Sequence, residues 1–295
     1  MFKVLSKRYS QREVVFTGVE IRRLLGPDGV FLPDESQGDT LVYINFGRAA
    51  VAGSSTFFPD YPASETAGTP GDSGSTTELA RSSSYDWVNN GGGLSSGITP
   101  NGTGGNSPAR RFGNTNTNPL HERYTASSGN DFYIELWVYE MERLASNAAM
   151  LYGVPHDTFG AKLEFGIDSS NRVYLYLQDG ADSITVNGST NLGNPFTGQI
   201  FAYFRQGNEV VVGYNGIEDG SGSPPVGITN IHGGTSFARR AFFFNRNSGA
   251  SVQNPVQDTS IISRAYLYAI GSSRFPGDAS ATIAAHNYAV LNGTF

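Results

Sequence analysis

The stretch DFYIELWVYEMER, residues 131–143, places Phe132, Ile134, Leu136 and Val138 on one parity and Tyr133, Glu135, Trp137 and Tyr139 on the other. Successive side chains of a strand point to opposite faces, so this is a strand with bulk on both sides, covered on both sides by other layers. Glu135 sits alone between aromatics. A lone carboxylate there is a catalytic acid, a ligand contact or a packed residue with a hydrogen-bond partner, and the expectation is the last of these.

The same alternation recurs downstream. AKLEFGID (161–168), RVYLYLQDG (172–180), SITVNG (183–188), QIFAYFRQG (199–207), EVVVGYNG (209–216), RRAFFFNR (239–246) and SIISRAYLYAIG (260–271) are short strands separated by Gly, Asn and Asp turns. That is the pattern of an antiparallel sandwich. Asp168-Ser169-Ser170-Asn171 and Gln206-Gly207-Asn208 read as hairpin connections. Only the end departs: SATIAAHNYAVLNG (280–293) places Ile283, Asn287 and Val290 on one helical stripe with Ala284, Tyr288 and Leu291 beside it, which predicts a short closing helix. Upstream, residues 49–128 are poor in aliphatics and dense in Gly, Ser, Thr, Asn and Pro, punctuated by Tyr85, Trp87, Leu94, Ile98 and Phe112. Aromatics spaced along a polar segment pin it to a surface, so the expectation is a long ordered excursion from the sandwich.

Charged residues make up only 16% of the 295-residue chain while there are 37 glycines, so the surface is built largely from neutral polar residues, unlike that of a cytosolic enzyme. The absence of cysteine excludes disulfides, thiolate zinc sites and cysteine nucleophiles. His121, His156, His232 and His286 show no metal-ligand spacing. No run reaches the ~20 apolar residues of a membrane span, and the first residues lack a signal-peptide pattern, so membrane association is not expected and synthesis in a cytoplasm is. The net charge of −6 is unevenly spread: Lys3, Lys7, Arg8, Arg12, Arg22 and Arg23 against Glu13 and Glu20 give residues 1–23 a charge of +4, leaving −10 for the rest. Residues 1–38 are therefore expected to be a basic docking arm, the other reading being a basic edge strand of the main sheet.

In DFYIELWVY, in GQIFAYFRQGNEVVVGYNG (198–216), in SIISRAYLYAIGSSRFPGDASATIAAH (260–286) and in DTLVYINF (39–46), the chain resembles the laminin-G-like, concanavalin A-like jelly-roll domains. The resemblance spans about residues 39–293 and is weak in the excursion. It implies an all-β fold of two curved antiparallel sheets packed face to face in residues 39–295, with the excursion at 49–128, a short C-terminal helix, and structural roles for Glu135 and Trp137. The segment QIFAYF departs from the family's usual aromatic and histidine pair, and the arm is no part of that fold.

Glycosidases on such a sandwich bring two carboxylates to one face about 5 to 5.5 Å apart. Glu135 and Glu140 have opposite parity, and Glu140 and Glu142 read as strand exit and a brief helical turn beside Arg143, so no catalytic residues are expected. The resemblance makes calcium the inorganic ligand to consider, with Asp168, Asn171, Asp179, Asp182, Asp219 and Asp258 as oxygen donors; turn chemistry explains each equally well, and no cofactor is expected. GGNSPARRFGN (104–114) lacks the context of a phosphate cradle, Arg110-Arg111 and Arg239-Arg240 read as solvated edges or interface contacts, and nucleic acid is not an expected partner of an acidic chain. For a sugar, Trp87, Tyr85 and Tyr124 are the candidate stacking residues, with Tyr152 and Tyr214 behind them.

Together these features lead to the expectation of a non-enzymatic structural protein of a virus particle: a bacteriophage capsid decoration or tail-associated subunit, made in the host cytoplasm and carried on the virion surface. It would contact other virion proteins through its arm and associate as a homo-oligomer. The alternative is a glycan-binding receptor-recognition module, an adhesin or tail-fibre part that meets a host surface glycan. A glycoside hydrolase ranks third.

Overall fold

The computed structural model describes residues 40–48, 85–100, 131–143, 148–156, 160–205, 209–228, 256–257, 259–269 and 279–292, with short pieces at 5–7, 9–11, 13–14, 23–24, 27–30, 110–111, 242–243, 246–247 and 252–253. In chain order the strands begin with β1 (Leu5–Lys7), β2 (Tyr9–Gln11), β3 (Glu13–Val14), β4 (Arg23–Leu24), β5 (Thr40–Asn45), β6 (Tyr85–Val88), β7 (Gly97–Pro100) and β8 (Arg110–Arg111). The long strands follow: β9 (Phe132–Met141), β10 (Ala149–His156), β11 (Gly160–Ile167), β12 (Val173–Asp179), β13 (Asp182–Asn187), β14 (Phe196–Arg205), β15 (Glu209–Tyr214) and β16 (Ile217–Gly222). Then come β17 (Phe242–Phe243), β18 (Arg246–Asn247), β19 (Val252–Gln253) and β20 (Ile261–Ala269), and the chain closes with helix α1 (Ala279–Leu291).

Two antiparallel sheets carry the fold. One has six strands in the order β13-β12-β11-β10-β17-β8; the other has eight, in the order β16-β15-β14-β9-β20-β7-β6, with β5 also on β20. The alternation read from sequence decides what lies between them. Phe132, Ile134, Leu136 and Val138 of β9, with Ile200, Ala202 and Phe204 of β14, meet Leu163, Phe165 and Ile167 of β11 and Val173, Leu175 and Leu177 of β12 in one apolar core. The turns obey their residues: Asn215 and Gly216 adopt φ of 47° and 77°, joining β15 to β16 in the two-residue left-handed turn that Asn-Gly favours.

The opposite parity builds a second core on the outer face of the eight-stranded sheet. Tyr43, Tyr133, Phe201, Tyr203, Tyr266 and Tyr268 form an aromatic layer on which Ile283 and Ala284 of α1 rest. Glu135 lies inside this layer, 1% exposed. It accepts from Tyr133 Oη at 2.7 Å, from Trp137 Nε1 at 2.5 Å and from Asn287 Nδ2 of α1 at 2.8 Å. Burial raises its pKa, and these bonds together with one from Gln199 oppose the rise; burial also lifts the Tyr133 phenol well above its ordinary value. Gln199 clamps the helix from the neighbouring strand, donating to Ala284 O at 3.1 Å and accepting from Gly216 N at 2.7 Å. Glu135 is thus a packed residue that fastens α1 to the sheet.

The described strands β1 to β4 pair only among themselves, and none of them joins either large sheet. The root of the basic segment is fixed. Asp28 accepts from Tyr43 Oη at 2.7 Å and Asn45 Nδ2 at 3.0 Å and is ion-paired with Arg48; Val30 is buried in the aromatic layer, and the Gly29 carbonyl meets His286 Nε2 at 3.1 Å. Residues 27–30, assigned to the arm by sequence, therefore pack with the body.

Candidate functional site

Most of the residues singled out from sequence do not come together. Tyr85 and Trp87 lie on β6, the edge strand of the eight-stranded sheet, where a polar loop was expected; their side chains, and all of Tyr124, lie outside the described residues. The β-pairing of Trp87 with Ile98 draws this part of the glycine-rich excursion into the sheet, because Ile98 is fully buried in the inter-sheet core. Tyr152 is not a surface residue at all: it is fully buried between the sheets, and Tyr214 packs partly buried against the same core. The arm side chains of Lys3, Lys7, Arg8, Arg12, Arg22 and Arg23 lie outside the described residues.

Nor do the acidic residues assemble. Glu140 is exposed on a bulge of β9 with φ of 46°, β9 exits at Met141 and Arg143 bridges to Val256; of the stretch 140–151 expected to hold a brief helical turn, residues 144–147 lie outside the described residues. Asp168 caps its own turn, accepting from Ser170 N at 2.8 Å and Arg172 N at 2.9 Å and pairing with the Arg172 guanidinium. Asn171 accepts from Arg143 Nε, and Asp219 accepts from Ser189 Oγ and from Thr190 N and Oγ1, bonds that hold its carboxyl below the usual range against the opposing effect of burial. Asp179 and Asp182 face each other across the β12–β13 turn, and Asp258 lies outside the described residues. Among the described residues, no group of three acidic or histidine side chains is placed to hold a metal ion.

A different constellation lies on the outer face of the six-stranded sheet. Because Val173, Leu175 and Leu177 point into the core, Tyr174, Tyr176 and Gln178 of β12 point away from it. Glu164 of β11 and Thr185 of β13 sit directly opposite Tyr176, Asn187 sits opposite Tyr174 and Ser183 opposite Gln178. Cross-strand neighbours on one face are within side-chain reach, so Glu164, Tyr176 and Thr185 form a row. The Tyr176 hydroxyl donates to Gln178 Oε1 at 2.9 Å, and the Gln178 amide donates on to Gly180 O at 3.2 Å, which fixes the ring and the amide together. The face opens toward its edge: Glu164 and Tyr174 are buried, Tyr176 and Gln178 half-buried, and Ser183, Thr185 and Asn187 exposed.

Sequence reasoning looked for stacking aromatics in loops and passed over this row. The signal was present in RVYLYLQDG, where the non-core parity reads Tyr-Tyr-Gln, and in AKLEFGID, where it carries Glu164.

No family model and no curated protein matches the chain. Solved structures with a similar outline include the Ruminococcus gnavus IT-sialidase CBM40 bound to α2,3-sialyllactose, at 12% identity and a TM-score of 0.40 over 54% of this chain and 85% of that one. A Trypanosoma rangeli sialidase complex follows at 14% identity and 0.41, covering 74% of this chain and 29% of that one. The botulinum neurotoxin serotype C1 binding domain is similar at 11% identity and 0.39, over 64% of this chain and 40% of that one. None of their ligand-binding residues is carried over to this chain.

Proposed function

We propose that this protein is a non-catalytic, lectin-like module that receives a saccharide on the outer face of its six-stranded sheet, around Tyr176. The observation that carries the reading is the row Glu164–Tyr176–Thr185, flanked by Gln178 and Asn187, on a sheet face that opens toward solvent. A sugar ring presents apolar C–H faces and a rim of hydroxyls. The half-buried Tyr176 ring suits the first, and carboxylate, amide and hydroxyl groups at strand spacing suit the second. Non-catalytic binding is favoured because hydrolysis requires a pair of carboxylates across the bond. Glu164 has no acidic residue directly opposite it on the described neighbouring strands, and Glu135 is enclosed beneath α1 with its oxygens already bonded.

The test is retention on an array of purified polysaccharides. Wild type is expected to be retained, and Tyr176→Ala to lose retention at least about tenfold while remaining folded with a cooperative unfolding transition; Glu164→Gln is expected to weaken it. Failure of the wild type to bind any saccharide, or full retention by Tyr176→Ala, overturns the reading. Release of reducing ends from a retained polysaccharide would show a hydrolase instead.

A second reading concerns where the module works, and charge favours it. A segment of net +4 joined to a body of net −10, pairing its strands only within itself, suits a docking arm for an acidic partner. We infer a component of a virus particle, on a bacteriophage head or tail, associating with other virion proteins and with its own copies. Because residues 27–30 belong to the body, the informative deletion stops at residue 26. Full-length protein is expected to sediment with particle shells while the deleted form stays free; co-sedimentation of both, or of neither, refutes the arm as anchor.

A further inference from the structure

We propose that Arg264, on the outer face of the eight-stranded sheet, is a receptor for a carboxylate-bearing ligand, at a site distinct from the Tyr176 face. The starting point is an unsatisfied cation. Among the described residues, Arg48 is paired with Asp28, Arg172 with Asp168 and Arg205 with Glu209, and Arg143 donates to Asn171. Among the described residues Arg264 has no such acceptor, and its buried Nε has no hydrogen-bond partner. Asp28, which bonds the side chain of Asn45 opposite Arg264, is already engaged by Tyr43, Asn45 and Arg48. A buried N–H without an acceptor calls for an explanation, and a ligand oxygen supplies one.

The surroundings are built to present this group. The β20 strand changes partner at this point: Ile262 pairs with Ile98 of β7, whereas Arg264 pairs with Asn45 of β5, so the edge beside Arg264 is a seam between two strand ends. On its other side β20 is bulged between Ile262 and Arg264 against β9. The extra residue, Ser263, is fixed by its hydroxyl donating to Trp137 O at 3.2 Å. The bulge lets both Ile262 and Ala265 face the core while Arg264 stays outward, and bulges commonly re-aim a side chain in this way. Beside the seam Gly97 passes so close to β20 that a Cβ there would lie 2.1 Å from Ile262 O.

The guanidinium is also oriented. Its Cζ stands 6.0 Å from the centroid of the Trp137 ring, and that ring is stacked with Tyr288 of α1 at 6.0 Å and 12°. Trp137 in turn is locked by its bond to Glu135. An arginine held against an indole keeps its planar fork free at the edge, and that fork matches the two oxygens of a carboxylate. The two sources of such a group are an acidic sugar and a small free carboxylate, and the recognition chemistry is shared.

The chain has two tryptophans, so in a Trp87→Phe background emission reports Trp137 alone. The experiment titrates this protein with D-glucuronate, acetate and D-glucose, with calorimetry on the wild type as a second readout. Glucuronate is expected to shift the Trp137 emission and glucose to leave it unchanged. Arg264→Met, which keeps an apolar stem over the indole, is expected to bind at least about tenfold more weakly, with Arg264→Lys in between. Equal binding of glucuronate and acetate identifies the carboxylate alone as the ligand; tighter binding of glucuronate identifies an acidic sugar. The proposal is overturned if glucose matches glucuronate, if Arg264→Met binds as well as the parent, or if no carboxylate binds by either readout. Full polysaccharide retention by Tyr176→Ala, with glucuronate binding at Arg264 intact, would fail the saccharide face and leave this site standing.

Discussion

The outer faces of the two sheets are made by the same strand geometry and end up chemically opposite. On the eight-stranded sheet the outward parity is Tyr133, Glu135 and Trp137, roofed by α1, and Glu135 accepts from Tyr133 and Trp137 of its own strand and from Asn287 of that roof. On the six-stranded sheet the outward parity is Glu164, Tyr174, Tyr176 and Gln178, which grades from buried to open. Each face carries a glutamate among tyrosines. What distinguishes the roofed face is Asn287, which brings a donor from α1 down onto its glutamate.

The largest effect should come from breaking the fastened face. Glu135→Ala leaves the Tyr133, Trp137 and Asn287 donors buried and unpaired, and is expected to cost about 3–5 kcal/mol in urea unfolding. Tyr176→Ala on the open face, which loses a half-buried ring and its bond to Gln178, should cost only about 1 kcal/mol. Similar costs at the two positions would show that both faces serve packing. A gain is expected between the sheets, where the buried Tyr152 hydroxyl has no hydrogen-bond partner among the described residues. Tyr152→Phe removes that oxygen and should raise stability by about 1 kcal/mol, read as a higher midpoint; a loss would reveal a partner for the hydroxyl.

The smallest effect sharpens the roofed face alone. Burial lowers the pKa of His286, partly offset by its bond to the Gly29 carbonyl. The native state then binds its proton less readily than the unfolded chain, so this contribution is present above the ordinary value near 6.5 and is lost as pH falls below it. Thermal midpoints of the wild type should therefore drop more between pH 7 and pH 5 than those of His286→Gln. Parallel curves would remove His286 from the account.

The sheets were legible because burial repeats every second residue. Phe132 to Val138 announced an inner face, Asn215-Gly216 announced its turn, and Ile283, Ala284 and Asn287 announced a helix with one buried side. Legibility ended where contacts are long-range. Nothing local tells that Asn287 meets Glu135 across 152 positions, or that Trp87 pairs with a buried Ile98 and becomes sheet in a segment whose composition reads as loop. The Tyr176 row was visible as parity but masked by its neighbours, since tyrosines line both outer faces. Arg264 could not be singled out, because its role depends on a bulge and on the exchange of β7 for β5.

The rooting of residues 27–30 has a mechanical consequence. Asp28 is tied to β5, Gly29 to α1 and Val30 to the aromatic layer between them, so tension arriving through the basic segment is shared by several bonds rather than peeling one strand. Load would enter through the roofed layer of the eight-stranded sheet, with the whole inter-sheet core lying between it and the six-stranded sheet.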